Sequence, residues 1–456
     1  MSTWTPNSWK EKPIRQDVVY EDPAAVDRAI KKLEHLPPLV TPEEIRRLRE
    51  QLKQVSRGES FLLQGGDCAE LFDYCSKDPI ESKLKVLLQM SVVLTWGART
   101  PVVRIARMAG QYAKPRSSPT EKHGDKMIPS FRGDNVNGYD PEDRKPDPER
   151  LVSAYFHSSA TLNYVRSLLT SGFADLHNPF SWDLQHVRSS AVREEYQSMA
   201  NRIKDALQFM SVIGADPTGS AANPMASALS TVDLFMSHEG LLLEYESALT
   251  RQDQGKWYNT SGHFLWIGDR TRALDEAHVE YFRGLENPIG VKCGPTMKPE
   301  ELGPLLDILD PNKEDGKVTL ISRYGADKID DYLPAHIQAV KESGHRVVWA
   351  CDPMHGNTET SQSGLKTRQF DRIITELGKA FRIHKEQNSI LNGVHFELTG
   401  DRVTECVGGS MQLEDQDLRT NYQTHCDPRL NYEQSLDVAY LISGYYEKQR
   451  RGFQGL

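Results

Sequence analysis

The chain has 456 residues, and 55 Lys and Arg against 64 Asp and Glu give it a formal net charge of −9. Its hydrophobic content of 38% is enough for a large core, yet no run of about 18 consecutive apolar residues occurs, so no membrane-spanning helix and no membrane partner are expected. The acidic balance argues against nucleic acid as a partner, and six widely spaced cysteines with no secretory signal predict a cytoplasmic protein.

Two short helices are predicted at the start of the chain. An Asp-Pro pair at 22–23 supplies the N-cap and first residue of one helix, and a capping box over Thr41–Glu44 opens the other. The second helix carries an apolar stripe made of Ile45, Leu48, Leu52 and Val55. We expect residues 1–58 to form a helical extension whose stripe packs at a subunit interface or against helices inserted later in the chain.

From residue 59 onward, short apolar runs end in polar residues and alternate with helical stretches. The eight runs are 61–63, 102–106, 232–235, 263–267, 289–291, 318–322, 347–351 and 394–396. Parallel strands that are buried on both faces have this pattern. Eight strand-then-helix units predict an α/β protein with a (β/α)₈ TIM barrel over residues 59–456 and its active site at the carboxyl ends of the strands.

One connection in the predicted barrel is much longer than the others. Between the second and third runs lie a polar loop at 117–148 and two helical stretches near 151–169 and 192–213. We interpret residues from about 117 to 230 as a loop and helices inserted into the barrel, with no second folding domain.

Positively charged side chains follow several of the strands. They are Arg107, Lys114, Arg116, Arg270, Lys292 and Arg323. Scattered salt bridges are one explanation, but so many cations at one rim of an acidic protein favour a pocket for anions. Arg binds phosphate or carboxylate through two N–H groups and Lys supplies a compact charge, while Ser117 adds a hydroxyl. The group therefore predicts a phosphate-binding pocket.

A second group contains possible metal ligands. Its members are Cys68, His355, Glu397 and Asp427. The first three follow the first, seventh and eighth strands, which barrel closure places side by side, and the fourth lies shortly beyond. A thiolate, imidazole and carboxylate mixture suits Mn²⁺, Co²⁺, Fe²⁺ or Zn²⁺ better than Mg²⁺. Taken singly, a buried Cys packs as a small apolar residue and a buried His is a hydrogen-bonded polar group.

Several of these segments together resemble the type II family of 3-deoxy-D-arabino-heptulosonate 7-phosphate (DAHP) synthases. The matching segments are QGGDCAE at 64–70, RMAGQYAKPRS at 107–117, GVKCGP at 290–295, ISRYG at 321–325, WACDPMHGNT at 349–358 and GVHFELTG at 393–400. The resemblance implies a metal-dependent barrel enzyme, a transferase that condenses phosphoenolpyruvate with erythrose 4-phosphate. This 3-deoxy-7-phosphoheptulonate synthase reaction releases phosphate and opens the shikimate pathway to chorismate and the aromatic amino acids.

The resemblance also assigns roles to residues of this chain. It places the metal ligands at Cys68, His355, Glu397 and Asp427, with Mn²⁺ or Co²⁺ as the expected ion and Zn²⁺, Fe²⁺ or Cd²⁺ as alternatives. It places the phosphoenolpyruvate contacts at Arg107, Arg270, Lys292 and Arg323. The erythrose 4-phosphate contacts then fall on Lys114, Arg116 and Ser117. The family further implies a homo-oligomer, a dimer or tetramer, and an aromatic amino acid effector.

Acid–base roles are assigned to two carboxylates at strand ends. We expect Glu239 and Asp269 to position the attacking water or to carry its proton, and Lys292 and Arg270 to stabilise charge on the reacting phosphate. The family often has Glu where this chain has Asp269, and the shorter side chain leaves backbone contacts possible.

Two other functions fit parts of the pattern. A related metal-dependent barrel enzyme could use a different aldehyde phosphate or 2-oxo acid with the same cations. A non-catalytic, ligand-sensing member of the fold should have lost metal ligands, and the presence of all four argues against it.

Overall fold

A computed structural model describes residues 3–170, 190–212 and 232–451. Eight strands form a closed barrel: β1 Phe61–Gly66, β2 Val102–Arg107, β3 Phe235–Glu239, β4 Phe264–Ile267, β5 Ile289–Cys293, β6 Val318–Ser322, β7 Val348–Cys351 and β8 Gly393–Glu397. Neighbouring strands are parallel, and β1 pairs with both β2 and β8, which closes the ring. The predicted (β/α)₈ barrel is confirmed.

The helices of the described ranges surround this barrel. They are α1 Pro23–His35, α2 Pro42–Ser56, α3 Lys77–Ala98, α4 Glu149–Thr170, α5 Ser190–Val212, α6 Leu243–Ala248, α7 Ala277–Phe282, α8 Pro299–Leu309, α9 Ile329–Ser343, α10 Phe370–Glu386 and α11 Tyr432–Arg450. Within the ranges that were described, no helix combines the length and the apolarity that crossing a membrane requires.

The third strand starts later in the chain than its apolar run at 232–235 predicts. The strand begins at Phe235, and it ends at Glu239, where the sequence predicted its end. The apolar run overlaps only the start of β3, because the strand becomes polar at Ser237 and His238 as it enters the site. The first four residues of β3 are buried, and Glu239 is partly exposed.

The inserted element lies between β2 and β3, as predicted. It contains an antiparallel hairpin, Thr120–His123 with Lys126–Pro129, followed by α4 and α5. Residues 171–189 and 213–231 of this region lie outside the described residues. The division of the chain at residue 58 stays a prediction.

Helix α2 forms as its sequence predicts. Thr41 Oγ1 accepts from the Glu44 backbone N–H at 3.3 Å, and the Thr41 N–H donates to Glu44 Oε2 at 2.8 Å. These two bonds form the capping box, which satisfies backbone donors at the start of the helix.

The packing of the α2 stripe differs from the prediction. Leu48, Leu52 and Val55 are fully buried and share one apolar cluster with side chains from six barrel strands, including Leu62 and Trp266. The helix therefore covers the amino end of the barrel, and the expected subunit interface or contact with inserted helices was wrong for Leu48, Leu52 and Val55. A barrel interior left open at that end would expose apolar side chains to water.

The barrel interior becomes polar toward the carboxyl ends of the strands. Side chains alternate across a strand, so Leu62, Gln64 and Gly66 of β1 face the same side. Gln64 lies opposite His395 of β8, and Gly66 lies opposite Glu397. A Cβ at Gly66 would lie 2.5 Å from the backbone oxygen of Arg107, so only glycine fits beside β2 at this position.

Candidate active site

A cavity of about 810 Å³ opens at the carboxyl ends of the barrel strands. It is lined by every predicted site residue except Glu397, namely Cys68, Arg107, Lys114, Arg116, Ser117, Glu239, Asp269, Arg270, Lys292, Arg323, His355 and Asp427. Glu397 is fully buried and lies 3.1 Å from His355 Nε2. The strand ends thus bring the predicted anion-binding and metal-binding residues into one space.

The four predicted metal ligands converge at one side of the cavity. The ligand atoms of Cys68, Glu397 and Asp427 lie within 4.8 Å of one another. His355 Nε2 joins them through its 3.1 Å contact with Glu397 Oε1. These atoms are a thiol sulfur, an imidazole nitrogen and two carboxylates, which fits a mid-series divalent ion.

A fifth residue, Lys114, lies among these ligands. Its Nζ is 2.8 Å from Cys68 Sγ and 2.8 Å from Asp427 Oδ2, and it is 3.9 Å from Glu397 Oε1. The ammonium opposes the effect of burial and holds the pKa of Asp427 below its usual value. The same sulfur and oxygen atoms therefore already stabilise one positive charge.

Neighbouring charged groups hold the carboxylate of Glu397 and the imidazole of His355, two of the predicted ligands. Arg368 Nη2 lies 2.8 Å from Glu397 Oε2, and Arg107 Nη2 donates to Oε1 at 3.1 Å. His355 Nδ1 lies 2.7 Å from Asp352 Oδ2, which leaves Nε2 facing Glu397. Such outer contacts fix the orientation of a ligand before any ion binds.

Two of the predicted phosphoenolpyruvate cations lie deep in the barrel. Arg107 donates to the backbone oxygens of Asp67 at 2.9 Å and Cys68 at 3.1 Å. Lys292 Nζ donates to Asp352 Oδ2, and burial lowers the pKa of this lysine to about 8. Both cations approach the ring of Trp266, at 5.1 Å for the guanidinium and 5.7 Å for the ammonium. The indole face stabilises positive charge at the cavity floor.

The other two cations lie nearer the cavity mouth. Arg323 Nη1 is 3.3 Å from Asp269 Oδ2, and Arg270 Nη2 donates to Ser117 Oγ at 3.0 Å. Asp269 Oδ1 also accepts from Thr296 Oγ1 at 2.7 Å. The side chain of Asp269, although shorter than the Glu that the family often has, therefore contacts Arg323 and orients its guanidinium.

Glu239 has a different environment from Asp269. Its backbone N–H donates to Gln111 Oε1 at 2.8 Å, while its own Oε1 is buried without a hydrogen-bond partner among the described residues. Burial raises the pKa of this carboxyl, and Lys114 and Lys292 oppose that effect. A carboxyl of this kind can hold or release a proton inside the cavity.

His395, which was not predicted from the sequence as a site residue, links the two deep cations. Its Nε2 lies 2.6 Å from Arg107 Nη1 and 3.0 Å from Lys292 Nζ, and its Nδ1 lies 2.8 Å from Gln64 Oε1. Burial holds the pKa of this histidine well below its usual value, so the neutral ring accepts at Nε2 and donates from Nδ1. Its position two residues before Glu397, on the same face of β8, was the available signal.

A (β/α)₈ fold with a cavity lined by cationic side chains at the carboxyl ends of its strands is typical of barrel enzymes that act on charged small molecules. Residues 4–443 match the class-II DAHP synthetase family. This chain belongs to that family.

Relatives named phospho-2-dehydro-3-deoxyheptonate aldolase are similar over nearly the whole chain. A Neurospora crassa protein is 56% identical over 98% of this chain and 95% of its own length. A Streptomyces coelicolor protein is 48% identical over 97% of both chains, and a Mycolicibacterium smegmatis protein is 46% identical over 92% of this chain and 90% of its own. These likenesses agree with the family assignment.

Family membership assigns the activity as well. The chain is a transferase that carries out 3-deoxy-7-phosphoheptulonate synthesis, the activity predicted from the sequence. The family uses a divalent metal ion, and Cys68, Glu397 and Asp427 provide a possible site for it. Its substrates are phosphoenolpyruvate and erythrose 4-phosphate.

Proposed function

We propose that phosphoenolpyruvate and erythrose 4-phosphate bind side by side in the described cavity and are joined there, as the first step of the shikimate pathway. The observation that carries this assignment is that six predicted cations and four predicted metal-ligand residues line or adjoin a single cavity of about 810 Å³. Two phosphorylated anions need such a concentration of positive charge, and an aldehyde needs an electrophilic activator.

The phosphoenolpyruvate site is formed by Arg107, Lys292, Arg270 and Arg323. The two deep cations hold one anionic group against the floor formed by Trp266, and the two outer arginines hold the other. Their charges orient C3 of the substrate toward the aldehyde and stabilise the phosphate as it leaves. Asp269 supports this site by orienting Arg323.

The metal site is formed by Cys68, His355, Glu397 and Asp427, whose donor set favours Mn²⁺ or Co²⁺, with Zn²⁺, Fe²⁺ and Cd²⁺ as alternatives. When bound, the ion supplies a Lewis acid that polarises the aldehyde oxygen of erythrose 4-phosphate. Lys114 then exchanges its thiol and carboxylate contacts for the phosphate of that substrate, together with Arg116 and Ser117.

The reaction joins two carbons and consumes one water molecule. C3 of phosphoenolpyruvate forms a bond to the aldehyde carbon, whose oxygen takes a proton, and water adds at C2. The C2 adduct then loses inorganic phosphate as its C–O bond breaks, which leaves the keto group of DAHP. Glu239 suits the proton transfers because its buried Oε1 has no other partner in the described structure.

The assembly and regulation of the chain are also proposed. Large apolar side chains are exposed on the N-terminal segment and the inserted helices, at Val19, Phe156 and Phe209. Their exposure supports a homo-oligomer, a dimer or tetramer, with an aromatic amino acid effector bound by the same elements. All six cysteines are unpaired, which supports a cytoplasmic location.

A substrate screen tests this assignment against a related enzyme with another aldehyde. Phosphate release from phosphoenolpyruvate is measured with erythrose 4-phosphate, with ribose 5-phosphate, with arabinose 5-phosphate and with no aldehyde, in the presence of Mn²⁺. We expect release with erythrose 4-phosphate and little with the others. Equal release with a pentose phosphate, or none with erythrose 4-phosphate, would contradict the assignment.

A further inference from the structure

A buried carboxylate on α10 joins two loops of the active site. Glu376 is fully buried, and its Oε1 accepts from the backbone N–H groups of Tyr324 at 2.8 Å and Gly325 at 2.9 Å. Its Oε2 accepts from Asn357 Nδ2 at 2.7 Å. One carboxylate therefore binds the loop after β6 and the loop after β7, and it does so from outside the cavity.

Asn357 extends this connection in the opposite direction. Its Oδ1 accepts from the backbone N–H of Ala326 at 3.0 Å, and its Nδ2 donates to the backbone oxygen of Pro353 at 2.8 Å as well as to Glu376. The amide cannot rotate without losing the bond to Ala326. Glu376 and Asn357 thus form a closed set of hydrogen bonds between the two loops, which we call the bracket.

The two loops also touch through their backbones. A Cβ at Gly325, where φ is +88°, would lie 2.6 Å from the backbone oxygen of Gly356. A Cβ at Gly356 would lie 2.2 Å from the backbone nitrogen of Gly325. Glycine at both positions allows the close approach that the bracket maintains.

Each bracketed loop carries a residue of the proposed site. Arg323 directly precedes Tyr324, and His355 directly precedes Gly356. We propose that Glu376 is a positioning residue that couples the phosphoenolpyruvate cation Arg323 to the metal ligand His355. This inference rests on the proposed functions of those two residues and adds a residue that touches neither substrate nor ion.

The chemistry of the bracket requires an ionised carboxylate. Three N–H groups point at Glu376, so protonation of Oε2 would place an O–H donor opposite Asn357 Nδ2. Burial raises the pKa of this carboxyl to about 7, and its charged or titratable neighbours are Asp352, Cys351, Tyr324 and Arg372. The bracket is therefore expected to weaken as the pH falls through this range.

The test compares Glu376→Gln with Glu386→Gln in the full-length enzyme. Glu386 lies on the same helix with 55% of its side chain exposed and pairs with Arg382, so its replacement controls for a charge change on α10. We expect Glu376→Gln to raise both the KM for phosphoenolpyruvate and the Kd for Mn²⁺ about tenfold, the effect of losing one hydrogen bond to a charged group. The control should leave both within a factor of about two.

A purely structural role predicts a different result. It would lower the midpoint of thermal unfolding and the fraction of active enzyme, while the remaining molecules kept the native KM and Kd. That outcome overturns the inference. If Glu376→Gln does not fold, Asn357→Ala removes the contacts of Asn357 with Glu376 and Ala326. The KM for phosphoenolpyruvate and the Kd for Mn²⁺ of that variant then test the inference in the same way.

Two further measurements separate this inference from the function on which it rests. The KM for phosphoenolpyruvate should rise below a pH of about 7 in the native enzyme and lose this dependence in Glu376→Gln. If Arg323→Ala and His355→Ala leave substrate and Mn²⁺ binding unchanged, the proposed function fails. If those variants lose binding but Glu376→Gln behaves like Glu386→Gln, the bracket alone is refuted.

Discussion

The charge on Lys292 depends on its burial inside the barrel. Burial and the nearby Arg107 lower its pKa to about 8, against the opposing effect of Asp352. The ammonium is therefore present below this pH and is lost above it, so we expect kcat/KM for phosphoenolpyruvate to fall as the pH rises past about 8. A pH profile of kcat/KM measures this.

The matched variant for this profile is Lys292→Arg. A guanidinium keeps its charge across the whole range, so the alkaline decline should disappear even if the overall rate is lower. A decline that persists in the variant would show that another group controls it.

The outer cation Arg323 allows a test of geometry at constant charge. Arg323→Lys keeps the positive charge but loses the planar group that faces Asp269, which should cost about 1–3 kcal/mol of a charged hydrogen bond. We expect the KM for phosphoenolpyruvate to rise much more than the KM for erythrose 4-phosphate. Steady-state kinetics with each substrate varied in turn measure both KM values. An equal rise in the two would mean that Arg323 does not belong to the phosphoenolpyruvate site.

At the scale of secondary structure, α2 should contribute to the stability of the barrel. Leu52 is fully buried in the cluster at the amino end, so Leu52→Ala should lower the free energy of unfolding by about 2–5 kcal/mol. The control is Glu50→Ala on the same helix, where 74% of the side chain is exposed. Denaturant unfolding of both variants measures the difference, and equal stability would mean that α2 does not close the barrel.

The local sequence was sufficient to predict this helix but not its partner. The capping box and the spacing of Leu48, Leu52 and Val55 define the helix and its apolar face, because both depend on residues a few positions apart. The cluster that covers this face comes from six strands spread between residues 61 and 351. No local sequence pattern shows that these strands pack against α2. The apolar face of the helix was therefore predicted to form an interface, whereas it covers the end of the barrel.

Site residues close to the ends of apolar runs could be predicted from the sequence, whereas the residues that support them could not. Lys292 and Arg323 follow apolar runs directly and His355 lies four residues after one, so topology alone places them at the cavity. His395 and Glu376 bind other groups of the protein instead of lining the cavity wall, and their partners lie 19 to 331 positions away in the sequence. Such supporting residues become visible only when the distances between elements are known.

At the scale of the whole molecule, the residues that stabilise the barrel and the residues of the site lie in different parts of it. Its amino end and outer helices bury apolar surface, while its carboxyl end gathers buried charges such as Arg107, Glu397 and Arg368 that would be costly without partners. Ion pairs between Glu397 and both arginines offset that cost. The site can therefore be charged because the rest of the barrel supplies the stability.

The most direct measurement is phosphate release from phosphoenolpyruvate and erythrose 4-phosphate before chelation, after treatment with EDTA, and after Mn²⁺ or Co²⁺ is returned. We predict that chelation abolishes release, that the metal restores it, and that no restoration occurs in His355→Ala although this variant keeps the native circular dichroism spectrum. Undiminished release by the chelated enzyme, or full restoration in His355→Ala, would contradict a condensation that depends on the metal site at the end of the barrel.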